Sequence, residues 1–99
     1  MEATRILSHQ DVDRRILRLV AACIERIDKD PGMLDRARTQ VTRYTAQLQE
    51  EWNKLLALPW PELRSILLEE SHEGDRIRQS VPFGGFLDTE ERMKILRSS

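Results

Sequence analysis

An all-α fold, a small four-helix bundle built on a long antiparallel helical hairpin, is predicted by three features of this 99-residue chain. Apolar residues recur at three- and four-residue steps through most of its length, the period of one face of an α-helix. Helix-start signatures precede the periodic segments, at Ser8, Asp30–Pro31, Pro61 and Asp88. Proline and glycine interrupt the pattern at "DKDPGM", "LPWPEL" and "VPFGGF", which sets the corners.

The first helix is expected over about residues 9 to 29. Ser8 and Asp11 fit a capping box of the looser Ser-x-x-Asp type, and Leu7 with Val12 take the positions of a hydrophobic staple. Val12, Ile16, Leu17, Val20, Cys23, Ile24 and Ile27 share one broad face. "LVAACI" makes the middle apolar around most of its circumference, so this segment needs cover from more than one side.

Asp30 caps a second helix, with Pro31 at its first position, where a missing amide donor costs nothing. The helix is expected to run from 31 to about 58. Leu34, Ala37, Val41, Tyr44, Leu48, Trp52 and Leu55 form a stripe close to a heptad repeat. Such a helix measures roughly 40 Å against roughly 30 Å for the first, so another element must cover its far end. Pro59 and Pro61 end it and open a third helix over 61 to 72, with Leu63, Ile66 and Leu67 facing inward and Gly74 as its left-handed C-cap. Residues 73 to 88 read as loop, in which Asp75 caps a single turn, "RIRQS", that would count as a fifth helix. A last helix over 89 to 98 starts at Asp88 or Thr89, with Asp88 and Glu91 as a capping pair and Met93, Ile95 and Leu96 facing the core.

Composition bounds the function classes. The length suits one domain, with 39% apolar and 33% charged residues, too hydrophobic for wholesale disorder. The 16 basic and 17 acidic residues are split evenly along the chain, so neither half is a tail for nucleic acid or for basic partners. Thirteen of the 16 basic residues are arginine, which suits planar recognition of carboxylate or phosphate, although a codon bias toward arginine gives the same count. The early Glu2 and the lack of a long apolar run argue against a signal peptide or membrane span, which places the protein in the cytoplasm.

No residue pattern points to catalysis. His9 and His72 lack metal-type partners at helical spacing and read as surface histidines. Cys23 lies in an apolar stripe, where a buried thiol is inert, and a lone cysteine builds neither a disulfide nor a zinc site. No P-loop, dinucleotide or nucleophile-elbow fingerprint is present, so no catalytic, cofactor-binding or metal residue is assigned and no cofactor is expected. Arg14, Arg15 and Arg18, and Arg36 with Arg43, cluster on helix faces, but Asp11 and Asp35 sit among them, which favours solvated ion pairs over a nucleic-acid stripe.

The segment that departs from the helical pattern is "RIRQSVPFGGF", residues 76 to 86. It holds both phenylalanines and two of the four glycines. Two readings compete. Phe83 and Phe86 fold back onto Trp52, Trp60 and the third helix, with Gly84 and Gly85 permitting the tight path. Alternatively the rings are an exposed anchor, since aromatics and arginines on a loop are the usual composition of a binding hot spot.

"RIRQSVPFGGFLDTEERMKIL" resembles the C-terminal signature of a group of short, uncharacterised bacterial proteins. Its matching positions are Arg78, Gln79, Ser80, Pro82, Phe83, Gly85, Leu87, Glu91 and Arg92. The resemblance covers about a fifth of the chain and implies a bacterial source and a functional C-terminal segment, but no activity. The expectation is therefore a non-enzymatic protein–protein interaction module, a small adaptor or regulator, with Arg76, Arg78, Gln79, Ser80, Phe83, Gly84, Gly85 and Phe86 as its partner-binding residues. The alternative is a DNA-linked regulator acting as a dimer, with the arginines of the first helix aligned across a two-fold axis. A homodimer is expected in either case, because three short helices leave little to cover both the all-round apolar first helix and the stripe of the second.

Overall fold

The structure, a computed structural model, describes residues 9 to 97. The predicted cap and staple at Leu7 and Ser8, the side chain of His9 and the last residue of the fourth predicted helix lie outside the described residues. Within them the chain is all-helical: α1 (His9–Lys29), α2 (Met33–Val41), α3 (Ala46–Leu56), α4 (Trp60–Leu68), α5 (His72–Arg78) and α6 (Thr89–Arg97). Among the described residues no helix is long and apolar enough to cross a membrane.

The first helix ends at Lys29 as the sequence predicts, but α2 starts at Met33 rather than Pro31, with Gly32 instead of Asp30 in the N-cap position and no side-chain cap. Asp30 Oδ1 accepts from the Gly32 amide, the Asp30 and Pro31 carbonyls bond to Met33 and Leu34, and α2 begins. The predicted 28-residue second helix does not form as one piece. It breaks at residues 42–45, where β-branched Thr42 and Thr45 flank Arg43 and Tyr44 in a stretch of modest helix propensity. The Thr42 hydroxyl turns back to the Thr39 carbonyl at 2.6 Å, and Thr45, extended at φ −61° and ψ 158°, accepts from the Leu48 amide as the N-cap of α3. Gln49 completes the corner by donating to the carbonyls of Thr42 and Tyr44. The long hairpin is thereby replaced by a compact one, in which α2 packs against α3.

The apolar stripe survives the break. Ala37, Val41 and Trp52 are fully buried, while Leu34, Tyr44 and Leu55 pack against the core from its edge. Pro59 and Pro61 open α4, whose Leu63 and Leu67 are buried as expected. The middle of α1 is enclosed by its own chain, since α1 packs against α2, α4, α5 and α6. Polar ties reinforce two of these contacts: Trp60 and Arg64 of α4 both donate to Asp28, and Arg26 of α1 pairs with Glu91 of α6. The indole hydrogen bond, more than the guanidinium, holds the Asp28 carboxyl below its ordinary range. At α6 the predicted capping pair forms reciprocally, with Glu91 N–H on Asp88 Oδ1 at 2.7 Å and Asp88 N–H on Glu91 Oε1 at 3.1 Å. Ile95 packs on the core, but Met93 is 45% exposed; among the described helices, α6 packs against α1 alone.

The region expected to be loop from 73 to 88 begins with a helix. Ser71, not Asp75, is the N-cap of α5, accepting from the Gly74 amide at 3.0 Å. Gly74 is therefore inside a helix rather than the left-handed end of one. Its role is steric: a Cβ there would stand 2.0 Å from the Glu69 carbonyl oxygen, the end of α4. His72 accordingly opens α5 rather than closing the helix before it, and is exposed.

Gly74 gives a prediction whose sign is diagnostic. In an ordinary helix interior Gly→Ala stabilises by about 1 kcal/mol. Gly74→Ala should instead destabilise by about 1–3 kcal/mol, the range for overpacking, in urea denaturation followed by circular dichroism.

Candidate interaction surface

Arg78, the last residue of α5, is the only charged residue among the buried ones described, at 2% exposure. Its guanidinium donates to the carbonyls of Leu67 at 2.8 Å and Glu69 at 2.7 Å, and pairs with Asp75 one turn earlier. The first two acceptors belong to the C-terminal end of α4, where carbonyls have no intrahelical partner and a cation is favoured. The Nε atom of Arg78 has no hydrogen-bond partner. A side chain expected at a recognition surface is thus a structural pin between α4 and α5.

Arg76 lies on the outside of the same helix. It bridges Glu51 of α3, at 2.6 and 3.2 Å, and Glu73 of its own helix, at 2.6 and 3.1 Å. Its hydrogen bonds to Glu73 and Glu51 hold it protonated beyond its ordinary range and hold Glu73 ionised below its own. Gln79 is exposed, whereas Ser80 is half-buried and fully used. Its hydroxyl accepts from Trp52 Nε1 at 3.0 Å and donates to the Ile77 carbonyl, and its own carbonyl accepts from the Tyr44 hydroxyl at 2.6 Å. Burial raises the Tyr44 phenol above its ordinary value.

Phe83 and Phe86 are core residues, 5% and 2% exposed, with their rings stacked at 5.1 Å between centroids. Burying two such side chains contributes about 1.5–3 kcal/mol each, which explains why the corner folds inward. The guanidinium of Arg36 on α2 lies 5.4 Å from the centre of the Phe86 ring, a cation–π contact that seats the corner on α2. Between the rings the backbone turns outward at Gly84 and at Gly85, whose φ of +81° is the left-handed conformation glycine adopts at no cost. Gln40 of α2 holds this turn from both sides. Its Nε2 donates to the Gly84 carbonyl at 2.6 Å and its Oε1 accepts the Gly84 amide at 2.9 Å.

What "RIRQSVPFGGF" presents to solvent is therefore Arg76, Gln79, Gly84 and Gly85 rather than the aromatic rings. The two glycines border two further features. On one side is a cleft of about 250 Å³, walled by Ile16, Leu19, Val20 and Cys23 of α1 and by Val81, Phe83 and Leu87, with Arg78 and Arg92 as its charged members. On the other side Arg36, Thr39, Gln40 and Arg43 form a shallow polar patch. Arg36, Arg43 and Arg92 are exposed and have no carboxylate partner among the described residues, whereas Arg14, Arg38 and Arg64 do. Neither feature is lined by an Asp or a Glu, whereas the clefts elsewhere at Asp13–Glu70–Asp75 and at Glu50–Glu51 are rich in acids. Sequence reasoning placed Arg36 and Arg43 on one side of the second helix but did not join them to the glycine corner, which lies more than forty residues away.

Cys23 is buried in the cleft wall, and burial pushes its thiol up to about 11 against the weaker pull of Arg92 and Arg26. A thiol so protonated is a poor nucleophile. Among the described residues no group of three or more His, Cys, Asp or Glu is placed to hold a metal ion. Comparison with protein-family models, with curated proteins and with solved structures finds no match to this chain.

The pin at Arg78 and the bridge at Arg76 should respond very differently to truncation. Arg78→Ala leaves Asp75 and two buried carbonyls without a donor and should cost about 3–5 kcal/mol, enough to unfold much of the population at room temperature. Arg76→Ala, at the surface, should leave the urea midpoint nearly unchanged. Circular dichroism melts of the two variants side by side check both.

Proposed function

We propose that this chain is a non-enzymatic interaction module, a small bacterial adaptor or regulator that binds another protein through the surface around Gly84 and Gly85. The observation that carries the reading is that the cleft and the polar patch beside the two glycines are lined by arginines and by no Asp or Glu. In a chain with 17 acidic residues and a net charge of −1, Arg36, Arg43 and Arg92 have no carboxylate partner among the described residues and lie around a tightly held corner and an apolar cleft. Rigid backbone, apolar depth and unpaired arginine are the ingredients of a protein-binding hot spot. A corner fixed by Gln40 and by two buried rings loses little conformational entropy on binding.

The alternative, a DNA-linked regulator, rests on the arginines of α1. There Asp11 pairs with Arg14, and Asp13, Glu25 and Asp28 lie on the same helix, which blunts the counterion-release term of nucleic-acid binding. The motive for a homodimer, an α1 too apolar for its own chain to cover, is weaker now that four helices pack on it, and the proposed partner is a different protein.

Pull-down from the native host with mass spectrometry tests the reading. Arg36→Glu with Arg43→Glu should abolish capture of a prey that wild type and an Arg14→Glu, Arg18→Glu control both retain. A prey kept by the first variant and lost by the control moves recognition to α1. A DNA gel shift that weakens steeply between low and moderate salt would favour the DNA-linked alternative instead.

A further inference from the structure

We propose that the cleft between α1 and the Gly84–Gly85 corner seats one bulky apolar side chain of an acidic peptide segment in the partner protein. This rests on the reading of the protein as an interaction module and specifies the chemistry that the module recognises. Size comes first. At about 250 Å³ the cleft falls below the roughly 300–1,000 Å³ of sites that enclose whole cofactors or metabolites. It is large enough for one leucine, methionine or phenylalanine side chain, and its walls, from Ile16 and Leu19 to Val81 and Leu87, are of matching polarity.

Charge supplies the flanks. The charged residues lining the cleft are both arginines, and Arg92 is exposed with no carboxylate partner among the described residues. Arg78 in the wall is balanced by Asp75, so the unbalanced charge that the cleft presents is the positive one of Arg92. Past the glycine ridge Arg36 extends the same sign, since a Cβ on Gly85 would lie 3.8 Å from its Nη2, and Arg43 continues it along α2. A segment whose anchor enters the cleft therefore passes Arg92 on one side and Arg36 with Arg43 on the other. Acidic residues before and after the anchor meet arginine in both directions, where charge complementarity raises the association rate and fixes register.

The test is selection from a phage-displayed library of random twelve-residue peptides against the full chain. Enriched peptides should carry Leu, Met or Phe between Asp or Glu residues. A synthetic copy should bind, by fluorescence anisotropy, at least about tenfold more weakly to Arg92→Glu, which places like charges together, and about equally well to Arg92→Lys. Enrichment of neutral or basic peptides, no enrichment, or unchanged binding to Arg92→Glu would each overturn the proposal. So would sedimentation of the protein alone as a dimer that Arg92→Glu dissociates, which assigns the cleft to a second copy. If the pull-down finds a prey dependent on Arg36 and Arg43 while the peptides fail, the interaction module stands and only the acidic anchor is lost.

Discussion

The architecture depends on one buried cation. α4 ends at Leu68 with its last carbonyls facing inward, and α5 begins four residues later, so close that Gly74 fits only for want of a Cβ. Such an end buried without donors is costly, and Arg78 supplies them from the far end of α5. Lysine has no planar fork to reach two carbonyls and a carboxylate together. Once α5 is pinned, Ile77 enters the core and Ser80 arrives under Trp52 and Tyr44. The chain then has no path except inward through Pro82 and Phe83.

The same constraint produces the surface. With both phenylalanines drawn inside and stacked, the backbone between them must bulge, and two glycines accept the required geometry. Gln40 then ties the bulge to α2 and brings it beside Arg36 and Arg43. Binding character here comes from the folded corner as a whole and not from a mobile loop carrying exposed aromatics. The region that most resembles an interaction site is thus also the last piece of the core, and substitutions inside it report on folding before they report on recognition.

Local signals in the sequence were informative where one residue dictates geometry. Pro61 at the start of α4 and the Asp88–Glu91 pair at the start of α6 act as read, while Asp30 ties the turn ahead of α2 without capping the helix. The stripe from Leu34 to Leu55 marked most of the inward residues, though it included Leu48, which is off the core, and missed the buried Leu56; it also concealed the break, because its steps of three and four continue through Thr42–Thr45 as though no turn were there. A threonine that caps α3 looks, in sequence, like any polar residue on a solvated face. α5 was hidden by Gly74, which reads as a helix end until the carbonyl of Glu69 is known to lie against it. The burial of Arg78 had no local signal, since arginine is ordinarily exposed, an Asp three residues earlier reads as an ordinary surface ion pair, and its two carbonyl acceptors lie at the end of the preceding helix. The candidate site was half legible: composition singled out residues 76–86, but their arginine neighbours on α2 and α6 are joined to them only by the fold.

If Arg78 and the stacked rings make the corner part of the core, amide hydrogen exchange should find it there. The Phe86 amide, bonded to the Phe83 carbonyl, and the Gly84 amide, bonded to Gln40, should exchange together with the core of α1 at Val20 and Ile24, in one cooperative unit. Exchange of the Phe86 and Gly84 amides at the rate of an unstructured chain, while Val20 and Ile24 stay protected, would contradict a corner closed by the core.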